Sequence, residues 1–139
     1  MTFTQKEITL LKDLKTQEEL CVEKYGQYAA DACDSQLRDL FTSIRSAEQQ
    51  HLSTLNGYLG ESSPLQSAPI PAPSGNCQQD DKFFCQDMLA MEKHASSTYD
   101  TGIFEFSDST VRQELNKIQA AEQKHGEQIW QYMSSHGMY

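Results

Sequence analysis

Glutamate and histidine recur in this chain at a spacing that could build a metal centre. Glu18 is followed thirty residues later by Glu48-Gln49-Gln50-His51, and Glu92 thirty residues later by Glu122-Gln123-Lys124-His125. An offset of 74 residues relates the two sets without a gap. Glutamate and histidine three apart share a helix face, so each ExxH unit can offer one bridging carboxylate and one terminal imidazole. Glu18 and Glu92 then serve as terminal or chelating carboxylates from partner helices. Four carboxylates and two imidazoles on four helices make the ligand set of a dinuclear metal centre.

Charge points the same way. An ionised carboxylate buried without a partner is paired, protonated or bound to metal, and four at one level repel each other. Few lysines or arginines fall among them. Two divalent ions would balance four carboxylates, and mixed oxygen and nitrogen ligands suit iron or manganese, with zinc able to occupy the site. The competing reading is that these residues form a polar layer, or the remnant of a lost site.

The repeat reaches beyond the six candidate ligands. At the same offset Asp13 matches Asp87, Tyr25 matches Tyr99, Asp34-Ser35 matches Asp108-Ser109, and Arg38 matches Arg112. It selects Glu18 over Glu19, because Glu19 corresponds to Lys93 and falls off the apolar stripe. Tyr25 and Tyr99 stand two turns beyond Glu18 and Glu92. They are either core aromatics, or side chains that hydrogen-bond a ligand carboxylate or can be oxidised near the metals. Arg38 and Arg112 are expected to pair with nearby acids. His94 is expected on an exposed face and His136 in a fraying tail.

Four helices must position these groups. Leu11, Leu14, Glu18, Cys21, Tyr25, Tyr28 and Ala32 keep helical spacing. Asp34 is a cap for a second helix, with the stripe Leu37, Phe41, Ile44, Glu48, His51, Leu55 and Tyr58. A third carries Phe84, Met88, Glu92, Ala95, Tyr99, Gly102 or Ile103, and Phe106. Asp108 caps a fourth, with Val111, Leu115, Ile118, Glu122, His125, Ile129 and Tyr132. The prediction is an all-α single domain over 1–139: a helical hairpin over about 5–59, a crossover over about 60–77, and a second hairpin over about 79–135.

All four prolines of the chain lie in the crossover, which therefore reads as extended linker. Eighteen residues at roughly 3.3 Å each reach about 60 Å, while a 25-residue helix is about 38 Å long. The linker can thus run the length of a four-helix bundle and let the third helix start where the second began.

Composition excludes some functions. At 139 residues the chain can bury a core. Its 37% apolar content and mean hydropathy of -0.65 suit amphipathic helices. A formal charge of -9 opposes nucleic-acid binding. No apolar run is long enough for a membrane span, and no signal-peptide core opens the chain, so cytoplasmic synthesis is expected. Cys21, Cys33, Cys77 and Cys85 lack zinc spacing. Those in or near helices are expected as small buried hydrophobes; if disulfides form, Cys77 in the linker is the first candidate.

The stretches Glu18-Glu-Leu-Cys-Val-Glu-Lys-Tyr, Ala32-Cys-Asp-Ser-Gln-Leu-Arg, Glu48-Gln-Gln-His, Ile103-Phe-Glu-Phe-Ser-Asp, Glu122-Gln-Lys-His-Gly-Glu-Gln and Tyr132-Met-Ser-Ser-His-Gly-Met-Tyr carry a resemblance. With its ligand pattern, the chain resembles the ferritin-like di-metal carboxylate superfamily. More closely, it looks like the spore coat F family of endospore-forming bacteria. The resemblance implies a ferritin-like four-helix bundle, made in the mother-cell cytoplasm and deposited in the spore coat among other coat proteins. Pairing into a homodimer through an exposed helix face is compatible with it. Two functions are in view: a coat component whose dinuclear iron or manganese site is structural or metal-storing, and a redox enzyme acting on peroxide or dioxygen. A metal-free interaction bundle is a third.

Overall fold

A computed structural model describes residues 2–139; Met1, with which the predicted domain opens, lies outside the described residues. Four helices account for most of it: α1 (Gln5–Asp31), α2 (Ser35–Leu59), α3 (Asp81–Ile103) and α4 (Ser109–Ser135). The described residues contain no strand. The chief packing is α1 on α2 and α3 on α4, with α1 also touching α3 and α2 touching α4.

Local chemistry starts and stops each helix. Thr4 and Glu7 form a capping box at α1, the Thr4 hydroxyl accepting from the Glu7 N–H and the Glu7 carboxylate from the Thr4 N–H. Asp34 and Asp108 cap α2 and α4 through Gln36 and Val111 N–H, as their sequence positions predict. Gly60 ends α2 in the left-handed region, at φ 67°.

Two acids tie the pairs together end to end. Glu7 Oε2 accepts from Ser107 N–H, in the turn between α3 and α4, at 3.1 Å. Asp81 accepts from Cys33 and Asp34 N–H, in the turn between α1 and α2, at 2.8 and 3.0 Å. Glu7 and Asp81 are themselves 74 residues apart. Each helix pair therefore begins with an acid that satisfies the backbone of the other pair's turn.

The linker runs back along α1 and α2. Ser63 donates to Glu19, Gln49 to the carbonyls of Leu65 and Ala68, and Arg45 to those of Ala68 and Pro69. Ser74 N–H then reaches Ala30 O near the far end. Helix α3 thus starts beside the start of α2, as the linker length allows. The linker is not wholly extended, because Pro64–Gln66 form one 3-10 turn capped by Ser63. Helix α3 opens at Asp81, two residues later than expected, after Gln79 adopts a positive φ of 60°.

Other expectations are corrected here. Cys33 is not free: it is disulfide-bonded to Cys77, pinning the linker to the turn between α1 and α2. Cys21 and Cys85 are free and buried. Among the described residues Arg38 forms no salt bridge with an acid. It donates to the Ala29 and Ala32 carbonyls at the C-terminal end of α1, where helix oxygens lack intrahelical partners. Arg112 is exposed. Phe106 lies beyond α3 yet is buried. The tail does not fray free, since His136 stacks on Tyr132 with its Nδ1 2.8 Å from Tyr132 O.

Apolar side chains form two cores separated along the bundle. One gathers Tyr25, Leu37, Phe41, Phe84, Met88 and Ile129; the other gathers Leu11, Leu14, Leu55, Tyr99, Val111 and Leu115. Between them lies a layer of acids and histidines.

A polar tie also joins α1 to α3. Tyr28 Oη and Lys24 Nζ donate to Asp87 Oδ2 at 2.7 and 2.9 Å. Burial opposes charge on Asp87, but the Tyr28 and Lys24 donors outweigh it and hold the carboxyl below its usual value. A depressed folded pKa gives stability that is present above the unfolded value, about 3.9, and lost as pH falls through the folded one. Tyr28→Phe should therefore cost about 0.5–1 kcal/mol at pH 7 at this partly exposed site. Urea unfolding should show that cost shrinking below about pH 4.

Candidate metal centre

The six predicted ligands converge. Glu18 on α1, Glu48 on α2 and Glu122 on α4 are fully buried, Glu92 on α3 nearly so, and His125 is buried. His51 is the most open of the set, with 13% of its side chain exposed. The stripes that carry them are apolar on either side, so helix packing forces these side chains inward.

Two overlapping groups result. Glu18, Glu48, His51 and Glu122 bring one ligand atom each within 4.8 Å of one another, as do Glu48, Glu92, Glu122 and His125. Glu48 and Glu122 belong to both groups. They are the two glutamates of the ExxH units, the residues expected to bridge. His51 Nδ1 stands 2.9 Å from Glu122 Oε1, and His125 Nδ1 stands 3.0 Å from Glu48 Oε1. Each imidazole therefore faces the other unit's glutamate more closely than its own.

The unsatisfied atoms are concentrated here. Both oxygens of Glu48 and Glu122, Oε2 of Glu18 and of Glu92, and Nδ1 of both histidines are buried without a hydrogen bond. The short histidine–carboxylate separations are charge contacts whose direction is not that of an N–H···O bond. Buried polar atoms are normally paired. A cluster of such atoms, all aimed into one layer, fits a divalent ion as the common partner.

The oxygens not left unpaired are held by tyrosine. Tyr25 Oη donates to Glu92 Oε1 at 2.6 Å, and Tyr99 Oη to Glu18 Oε1 at 2.9 Å. Both rings are fully buried. The two readings of these tyrosines are thus compatible: the rings pack in the cores while the hydroxyls fix carboxylates. The partner, however, is the glutamate of the opposite helix pair. A tyrosine two turns from a glutamate on its own helix is too far along the axis to reach it, so the bond crosses from α1 to α3 and back.

Electrostatics describe a frustrated layer. Burial, then repulsion from Glu18 and its neighbours, pushes Glu48 and Glu122 well above the ordinary carboxylate range. Glu92 is opposed by burial too, yet the adjacent Glu122 and His125 and the hydrogen bond from Tyr25 bring it below its usual value. Burial disfavours charge on His51, but the Glu122 and Glu18 carboxylates raise it to about 10. Burial and the nearby glutamates raise both tyrosines far above their ordinary value, so they stay protonated donors.

A cysteine expected as a buried thiol adjoins the layer. Cys21, a turn from Glu18, is buried beside the layer, its thiol pushed up by burial and by the four glutamates. Its counterpart at the 74-residue offset is Ala95, so the repeat gave no signal. His94 is exposed, away from the layer, as expected.

Removing one tyrosine hydroxyl should strand a buried oxygen. Tyr25→Phe and Tyr99→Phe are each expected to destabilise the protein by about 1–3 kcal/mol in chelator. Because the two bonds are reciprocal, denaturant unfolding should give similar costs for both.

Comparison with known proteins reaches part of the chain. A family model described as the Coat F domain matches residues 80–139, which contain α3, α4 and the candidate ligands Glu92, Glu122 and His125. No curated protein and no solved structure matches the chain. Over its second half, from the start of α3 to the C-terminal residue, this chain is similar to spore coat F.

Proposed function

We propose that this protein is a spore-coat component built as a ferritin-like four-helix bundle around a dinuclear metal centre. Glu18, Glu48, His51 and Glu122 would hold one ion and Glu48, Glu92, Glu122 and His125 the other, with Glu48 and Glu122 common to both groups. The observation that carries the reading is the set of buried, unpaired carboxylate and imidazole atoms in two groups with two common members. The Coat F match over residues 80–139 supports the location, and other coat proteins are the partners it implies.

Iron or manganese suits these oxygen and nitrogen donors best, with zinc an able occupant. Bound there, two divalent ions would neutralise the four carboxylates and supply redox or Lewis-acid character. The chain's own part is to hold the donors rigid between two apolar cores. Tyr25 and Tyr99 fix the terminal carboxylates, which is the role outer partners commonly play around metal ligands. The same ligand set serves the alternative reading, a redox enzyme acting on peroxide or dioxygen. Peroxide consumption above that of free metal distinguishes it from a structural or storage site.

Elemental analysis of protein purified without chelators tests the proposal. Two equivalents of iron, manganese or zinc per chain are expected, and His51→Ala combined with His125→Ala should reduce this by at least half. Metal-free wild type, still metal-free after dialysis against manganese and ferrous salts, would overturn the reading.

A further inference from the structure

The two sides of the acid layer are built differently, although their ligands correspond. On the side of α1 and α2, Val22 and Leu52 are fully buried beside Glu18 and Glu48. The linker lies across that side, held by Glu19, Arg45 and Gln49 through Ser63 and the Leu65, Ala68 and Pro69 carbonyls. At the 74-residue offset, Val22 becomes Ser96, Leu52 becomes Gly126, Glu19 becomes Lys93 and Gln49 becomes Gln123. No linker crosses α3 and α4 at these positions: Lys93 and Gln123 are exposed.

A cleft of about 440 Å³ opens there, lined by Ser96, Ser97, Gln123 and Gly126 at its sides and by the ligands Glu92 and Glu122. Gly126 has no conformational need to be glycine. A Cβ placed on it would meet Leu89 Cδ1 at 3.7 Å and Glu92 Cβ at 4.0 Å, ordinary contacts. Glycine in a helix interior costs stability relative to other residues. Its effect here is to leave out the side chain that Leu52 supplies on the other face.

We propose that this cleft is the port by which hydrated divalent cations reach the centre, the groove between α1 and α2 beside Glu18 and Glu48 being covered by the linker, Val22 and Leu52. The inference rests on the metal-binding reading above. Leu89 and the exposed Lys93 also line the cleft; the two serines and Gln123 offer oxygen donors to an ion passing toward Glu92 and Glu122, which place two carboxyls against the single Lys93 charge. The chain's formal charge of -9 favours the approach of a cation.

Chelator-stripped protein mixed with Co2+, followed by the visible absorption of the bound ion in stopped flow, tests this. Gly126→Leu, which restores the residue found at the covered face, should slow loading about tenfold or more while the final stoichiometry stays at two. A second variant guards against misfolding of the first. Gln123→Cys, labelled after folding with a bulky maleimide, should slow loading likewise, whereas the same label at Gln50→Cys on exposed α2 surface should not. Unchanged rates in both port variants, with two ions bound, would overturn the port and leave the metal centre standing. Wild type that binds no Co2+ would overturn the centre and the port together.

Discussion

Four carboxylates closed inside one layer of the bundle are the constraint on which the rest of the structure turns. Glu18, Glu48 and Glu122 have no exposure and Glu92 almost none, so water cannot solvate their charge. Desolvating even one ion costs several kcal/mol, which mutual repulsion increases. The fold meets this by surrounding the layer with partners of fixed position. Tyrosines clamp one oxygen of each terminal glutamate, and imidazoles approach the shared pair. The two apolar cores on either side then hold the helices at the distance these contacts need.

Rigidity at the layer depends on the ends of the bundle as well. Glu7 and Asp81 each satisfy backbone N–H groups in the other pair's turn, fixing how far one pair can slide along the other. A slide of one residue, about 1.5 Å, would misalign Tyr25 with Glu92 and Tyr99 with Glu18. The disulfide between Cys33 and Cys77 acts at the same end, anchoring the linker close to where α3 begins. Departure from symmetry is confined largely to what the linker covers. That difference leaves the linker over the α1–α2 side of the layer and a surface cleft over the α3–α4 side.

Much of this was legible in the sequence because helical periodicity and glutamate are jointly unusual. Glutamate in the middle of an apolar stripe has few explanations, and its recurrence with histidine at equal spacing leaves fewer. Helix starts were legible at Asp34 and Asp108, where the cap is a local interaction. Long-range pairings were not. Nothing in the spacing of Tyr25 from Glu18 says that its hydroxyl reaches Glu92, since that depends on how α1 lies against α3. Arg38 looked like an ion-pair residue, but the nearest acceptors are the carbonyls that end α1. The Cys33–Cys77 bond depends on the return path of the linker, which proline content describes only as extended. The offset that aligned the candidate ligands also aligned Glu7 with Asp81; acids in a helix's first turn are too common for their type alone to stand out.

The central claim is that burying these acids is unfavourable by itself and becomes favourable with cations among them. Unfolding of Glu48→Gln beside wild type, in chelator and then in excess Mn2+, tests it most directly. Near neutral pH the chelated variant should be the more stable of the two, because on folding Glu48 must either take up a proton or keep a repelling charge, and the amide does neither. With Mn2+ the order should invert, since ligand-linked stabilisation requires the shared carboxylate. Wild type more stable than the variant by the same margin in both conditions would contradict it.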